Sequence, residues 1–485
     1  AALVRHRFRR SVRRHCILRD TRGPAEATRP RTRRCTAPET RRRSAMMDEN
    51  ECHDPNRMES SAPSPASATG AKPKKKKRRQ SDVERTYQKK TQHEHVLLRP
   101  DTYVGSTQLV TDEMWILDPE SGNIVRRSIT YVPALLKIFD EILVNAADNK
   151  QRDPTQDTIR VDISREDNRI SVMNNGSGIP VVKHREHDMY VPTMIFGHLL
   201  TGSNFDDDER KTTGGRNGYG AKLANIFSTK FTIETVDANE GKKFKQTFTE
   251  NMLQPGSPRI TAVKEGTKEY TKIEFEPDLA RFHMTSLDND TYRLLCRRVY
   301  DIAACSQMYG GRKLKVYLNG TRLAIKTFED YVKLHDGLEP PVAFGRIEDR
   351  WEVGVSYSDG QPRQLSYVNA IATTKGGHHV NAIVDQVVAR LQKTLKKKNK
   401  GQDVKPHLIK QHLSIYVNCL IENPAFDSQT KETLVTRKAN FGSTPTLPEA
   451  MLKRIEKSEI VQTILSYAAF KQQKELNRKG GAKRA

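Results

Sequence analysis

The segment Thr212-Thr213-Gly214-Gly215-Arg216-Asn217-Gly218-Tyr219-Gly220-Ala221-Lys222 places four glycines within seven residues and runs directly into the apolar stretch Leu223, Ala224, Ile226 and Phe227. Backbone this rich in glycine can wrap closely around a ligand, and a helix predicted over about 219–228 would offer it free amides at a positive dipole end. The segment therefore reads as a lid over a phosphate chain more readily than as a linker. Two common phosphate patterns are excluded. A P-loop needs Gly-Lys followed by Ser or Thr, whereas Ala221 separates Gly220 from Lys222 and Leu223 follows. The dinucleotide fingerprint fails because no third glycine stands three positions after Gly220 and no strand leads directly in.

A helix is predicted over 133–151, with Pro133 suited to its first turn. Leu135, Leu136, Phe139, Ile142, Leu143 and Ala146 gather on one side and Glu141, Asn145, Asp148 and Asn149 on the other. Taken alone, such a polar line could be ordinary solvent face. Its residue types argue otherwise: Asn is a poor helix former, and two of them make sense where an amide oxygen must face a ligand or an ion. A strand over 170–173 then ends in Asn174-Asn175-Gly176-Ser177-Gly178, a turn that brings backbone close to a flat ligand whose edge Asn174 could bond.

Alternation at Ile159, Val161 and Ile163, then at Ile170 and Val172, predicts a β-hairpin turning at 166–169. Further strands are expected at 231–236, 244–248, 273–275, 314–318, 351–357, 364–368 and 413–421, and helices at 290–305, 380–397 and 448–476. The irregular interleaving indicates an α+β fold in two units, 81–335 and 336–475, divided where Gly337, Pro340 and Pro341 cluster.

The formal charge is +24, and half of that excess lies in residues 1–45, where fifteen Arg face only Asp20, Glu26 and Glu39. Residues 1–80 are expected to be a disordered basic tail, of which 1–45, running into Met46 and Met47, read as leader or non-native sequence. Lys74 to Arg79 form a patch suited to nuclear import or to a polyanion. No apolar run is long enough for a membrane span, and six widely spaced cysteines suggest neither a disulfide framework nor a zinc site.

In order along the chain, Glu141 with Asn145, then Asn174 to Gly178, then Gly214 to Lys222 resemble the three boxes of the GHKL ATPases. Tyr87-Gln88-Lys89-Lys90, Leu98 to Tyr103, Ile138 to Lys150, Thr373 to Gly377 and Phe426 to Lys431 resemble, within that superfamily, eukaryotic DNA topoisomerase II. The similarity runs over about 81–475. A mismatch-repair clamp of the MutL kind, or a chromatin-binding module with an inactive nucleotide site, are the competing readings.

The resemblance implies a GHKL (Bergerat-type) sandwich followed by a ribosomal-protein-like α/β transducer domain with a long C-terminal helix. It implies ATP as substrate, with Glu141 as the base and Asn145 as the Mg2+ ligand. ATP would contact Asn149, Asn174, Gly178, Ser203, Asn204 and the lid residues Gly215, Arg216, Asn217, Gly218, Tyr219, Gly220, Ala221 and Lys222. Gln429, Thr430 and Lys431 would reach across from the second unit, with Lys431 on the γ-phosphate, and Tyr87 would touch the nucleotide of the other subunit of a homodimer that closes on ATP. Gly202 stands where the family often has Ser. Lys396, Lys397 and Lys398 would bind double-stranded DNA without reading sequence. A nuclear enzyme is expected, with 476–485 as a truncated end and with the DNA-cleaving half of the family absent.

Overall fold

The computed structural model of the chain describes residues 84–202, 209–215, 218–399 and 401–481. The tail at 1–80, with its basic patch, lies outside the described residues. Helix α1 (Gln92–Leu98) opens the described chain, capped by Thr91 and Glu94 in a reciprocal box. A long hairpin, β1 (Val110–Leu117) and β2 (Ile124–Tyr131), leads into helix α2 (Pro133–Arg152). Pro133 does sit in the first turn of α2, and Leu135, Ile138, Phe139, Ile142 and Leu143 are buried as the spacing requires.

The body is a nine-stranded sheet. Its main strands are β3 (Thr158–Ser164), β4 (Arg169–Asn175), β5 (Ser228–Asp237), β6 (Lys242–Thr249), β7 (Arg259–Ala262), β8 (Tyr270–Pro277) and β9 (Lys315–Leu318), in the order β7-β6-β5-β8-β4-β3-β9. All of these pairs are antiparallel except β3 with β9. Helices α3 (Val191–Gly197), α4 (Gly220–Ile226) and α5 (Asn289–Cys305) complete the layer, and α2 packs on β4 between α4 and α5. Ile159, Val161 and Ile163 are buried while the residues between them are exposed, so β3 shows the alternation of a sheet with one covered face.

A second, five-stranded sheet holds β10 (Ala343–Ile347), β11 (Trp351–Tyr357), β12 (Arg363–Val368) and β13 (Leu413–Cys419), in the order β10-β11-β13-β12 and then Ile371–Ala372. β12 and β13 run parallel, and their connection carries α6 (His378–Lys398) and α7 (Pro406–Gln411), the kind of crossover a parallel pair demands. Both faces of this sheet are covered. Leu365, Tyr367 and Tyr416 belong to the core under α2, while Val368, Ile415 and Val417 belong to a second core with Ile383, Val387 and Leu391 of α6. Period-two alternation thus lets one strand serve two cores, and residues from Arg79 onward pack as one compact unit.

The expected single helix at 448–476 is two: α8 (Glu449–Lys457) and α9 (Glu459–Gly481). Ser458 is extended (φ −77°, ψ 167°) and its hydroxyl donates to the Ile455 carbonyl, 2.7 Å away, so a local side-chain bond replaces a helical one. The hairpin β1/β2 and the short helices α3 and α7 add elements to the expected set.

Candidate active site

A cavity of about 400 Å³ opens between α2, the end of β4, α3, α4 and a loop that follows β13. Its lining includes Glu141, Asn145, Asn149, Asn174, Gly178, Gly215, Gly218, Tyr219, Gly220, Ala221, Lys222, Gln429 and Lys431, which brings residues from all three sequence boxes and from the 429–431 loop together. Ser203, Asn204, Arg216 and Asn217 lie outside the described residues. Gly202 also lines the cavity.

Glu141 is buried in the third turn of α2, with two ammonium groups on one of its oxygens. Lys137 Nζ, one helical turn back, lies 2.5 Å from Oε1, and Lys431 Nζ lies 3.0 Å from the same atom. Burial alone would raise the carboxyl pKa, but the two lysine charges outweigh it and hold Glu141 down at about 2. The other oxygen faces the start of α4. A Cβ at Gly220 would collide with Oε2, so the lid can approach the carboxylate only through a glycine.

Asn145 and Asn149 continue the same face of α2, one and two turns on. The Asn145 side-chain oxygen lies 3.1 Å from where a Gly215 Cβ would stand, so it sits under the lid. Asn149 donates to Gln156 Oε1 at 2.8 Å, which fixes its amide orientation. Asp148 holds the lid: its two oxygens accept from the Gly214 and Gly215 amides, each at 2.9 Å. Burial pushes its carboxyl pKa up to about 6, against the pull of those two amides.

Asn174 is buried at the end of β4 and donates to the Asn175 carbonyl at 3.1 Å. Its neighbour Asn175 turns away, accepting from the Asp157 and Thr158 amides and donating to Asp157 Oδ1, so it locks the strand end. Gly178 passes so close to the Val236 carbonyl that no Cβ would fit. Lys222 is buried in α4 and donates to the Thr201 carbonyl; burial pulls its ammonium pKa down to about 8. Tyr219 accepts from Gln92 Nε2 at 3.0 Å, tying the lid to α1.

The 428–432 loop is a tight turn with Lys431 in the left-handed region (φ 62°) and its amide bonded to the Ser428 carbonyl at 3.1 Å. This drives the Lys431 side chain inward, 7 % exposed, while Thr430 packs outward against Gly105 and pairs with Ser428 at 2.7 Å. Tyr87 is 70 % exposed and lies outside this constellation. Lys396, Lys397 and Lys398 are exposed in the last turn of α6, remote in sequence from the cavity lining, and Lys396 is 3.2 Å from Asp403. Two features went unread in the sequence. Lys137 resembles a surface partner of Glu141 by its spacing, and only its burial marks it; Asp148 was one polar residue among four.

Two family models match: the histidine kinase-, DNA gyrase B-, and HSP90-like ATPase over residues 131–279, and DNA gyrase B over 317–483. DNA topoisomerase 2 of Pisum sativum is 52% identical over 408 residues, which is 83% of this chain and 27% of that protein. DNA topoisomerase 2-alpha of Homo sapiens is 52% identical over 408 residues, 82% of this chain and 26% of its own length. The chain thus spans about a quarter of the length of these curated relatives. The crystal structure of the ATPase region of Saccharomyces cerevisiae topoisomerase II superposes with a TM-score of 0.75 at 48% identity, covering 80% of this chain and all of that one. On that match the chain belongs to the eukaryotic DNA topoisomerase II family, whose ATPase region it comprises.

Proposed function

We propose that the chain binds and hydrolyses ATP in this cavity and thereby works as the nucleotide-operated dimer gate of a type II topoisomerase. The observation that carries this reading is the convergence of Glu141, from the first sheet's helix, with Lys431, from the second sheet's loop, at 3.0 Å beneath the glycine lid.

Adenine sits at Asn174, whose side-chain oxygen accepts from the exocyclic amine, and the triphosphate runs under the lid toward Glu141. The amides of Gly218 to Lys222, together with Arg216 and Asn217, bind its oxygens. Lys431 and Gln429 meet the γ-phosphate. As Lys431 moves onto that phosphate it leaves Glu141 with Lys137 as its remaining partner, which opens one of the two acceptor positions of Oε1 to orient and deprotonate a water. Asn145 suits Mg2+: a single neutral oxygen is what a hard ion asks of the protein when phosphate oxygens and waters fill its other positions. When bound, the ion offsets charge on the β and γ oxygens. ADP lacks the group that Lys431 holds, so hydrolysis returns the lysine to Glu141 and the loop that carries it to the nucleotide-free position.

The gate closes as a homodimer, with Tyr87 reaching the nucleotide of the other subunit. Lys396 to Lys398 bind duplex phosphates inside it, and the longer enzyme passes one duplex through another in the nucleus. Among the described residues no helix is long and apolar enough to cross a membrane. Steady-state ATP hydrolysis by the chain, with and without Mg2+ and with and without duplex DNA, tests the reading. Magnesium-dependent turnover stimulated by DNA is expected; no hydrolysis under any of these conditions would leave a nucleotide-inactive DNA-binding module as the better account.

A further inference from the structure

Between β12 and Ile371–Ala372 the chain turns through two consecutive left-handed residues, neither of them glycine: Asn369 (φ 50°) and Ala370 (φ 63°). Such backbone persists only where surrounding contacts enforce it, and it clusters at sites where position matters. From the second sheet Asn369 reaches Thr213 and Ala370 reaches Arg298 of α5.

Asn369 is fully buried. Its side-chain oxygen accepts from the Ile421 amide at 2.9 Å, and its nitrogen donates to the Ile421 carbonyl at 2.9 Å and to the Thr213 carbonyl at 3.3 Å. Thr213 immediately precedes the lid glycines. The backbone at Asn369 packs so near Gly214 that a Cβ there would stand 3.1 Å from the Asn369 carbonyl oxygen. The lid is therefore held at its root from two directions, by Asp148 below and by Asn369 from the second sheet.

Ala370 makes the other connection. Its carbonyl accepts from Arg298 Nη2 at 3.2 Å, and Arg298 in turn donates through Nε to Asp140 at 2.9 Å and through Nη1 to Asp301 at 2.5 Å. Beside it Arg297 donates to the Tyr367 hydroxyl at 2.8 Å. Asp140 precedes Glu141 on α2. Two arginines of α5, neutralised by the buried Asp301 and the partly buried Asp140, thus join the second sheet to the helix that carries the base.

We propose that the Asn369–Ala370 turn positions the nucleotide site: Asn369 fixes the root of the lid, and Ala370, through Arg298 and Asp140, fixes α2. This rests on the reading of the cavity as an ATP site. It differs from the part given to Lys431, whose ammonium can exchange Glu141 for a ligand phosphate. Asn369 bonds a backbone carbonyl that no ligand replaces. It ties the lid to the second sheet whether or not a γ-phosphate is present, so its removal weakens ATP and ADP alike.

The test uses two variants of the full chain. Asn369→Gly accepts the positive φ and removes the side chain; Asn369→Ser keeps a short polar group near Ile421 that cannot span to Thr213. Each is compared with the wild type for ATP and ADP affinity, thermal melting, and amide hydrogen exchange over residues 212–215. The expected result is an equal loss for both nucleotides of about three- to ten-fold, the effect of one buried hydrogen bond, with faster exchange at the Gly214 and Gly215 amides. Unchanged affinities in a variant that melts cooperatively would overturn the proposal, and so would a loss confined to ATP. A purely structural residue would lower the melting temperature and leave the affinity of the folded protein alone. In the wild type without nucleotide, slow exchange at Gly214 and Gly215 is expected, and rapid exchange there overturns the proposal whatever the variants do. Failure of the wild type to bind either nucleotide would instead refute the ATP reading itself.

Discussion

Lys431 Nζ and Glu141 Oε1 lie 3.0 Å apart although 290 residues separate them in the chain. Both are buried, so separating them is costly unless another anion takes over the lysine. A ligand phosphate is such an anion. Substituting Lys431 by Ala is therefore expected to weaken ATP binding at least ten-fold and ADP binding by less than two-fold, by roughly the energy of one charge-assisted bond. Equal losses in a titration with both nucleotides would remove the γ-phosphate role.

Glu141→Gln preserves the shape of the third turn of α2 but takes away the carboxylate. Turnover should drop by about 100-fold or more, in the range ascribed to a general base, while ATP binding and dimer closure persist. Single-turnover kinetics with labelled ATP decide this, and a variant that keeps hydrolysing at the wild-type rate would show that the base lies elsewhere.

Asp148 provides a pH signature. Its carboxyl is raised from 3.8 to about 6 in the folded chain. Between those values the folded state binds more protons than the unfolded one, so this group's contribution to stability is full below about pH 4 and lost as pH rises through 6. The shift corresponds to roughly 3 kcal/mol as an upper estimate. Asp148→Asn should flatten the melting temperature against pH across that window and, by turning an amide donor toward one of the two lid amides, weaken nucleotide binding at pH 7. An unchanged pH profile would show that Asp148 titrates normally.

The lysines ending α6 are exposed. Replacing Lys396, Lys397 and Lys398 together by Ala should weaken duplex binding without sequence preference. It should also reduce the slope of log affinity against log salt by up to about 3, since each lost phosphate contact releases about one fewer counterion. Binding measured from low to moderate salt settles it; an unaltered slope would place the DNA path elsewhere.

Much of this site was legible because function had distorted local preference. Asn145 and Asn149 are odd on a helix, Gly215, Gly218 and Gly220 are odd before one, and both oddities mark the cavity lining. What stayed hidden was defined only by distant partners. Lys137 at i−4 to Glu141 looks like any surface pair until burial is known, and Asn369 looks like a loop residue until Thr213 and Ile421 are placed beside it. The hairpin β1/β2 escaped because β1 is mostly exposed and shows no alternation. The stop at Ser458 escaped because the amphipathic pattern runs on through it, with Ile455 and Ile460 both buried.

One further consequence comes from β12. Its successive side chains feed different interiors, Tyr367 into the one beneath α2 and Val368 into the one beneath α6. A wall shared by two rooms cannot be moved for one of them alone. This strand cannot rearrange locally, because a slip of one residue would exchange the contents of both interiors. Under the proposed function the response to the nucleotide is a small slide of the whole second sheet across the face that carries Tyr367, a shear between packed layers, limited by how far that face can travel before the packing resists.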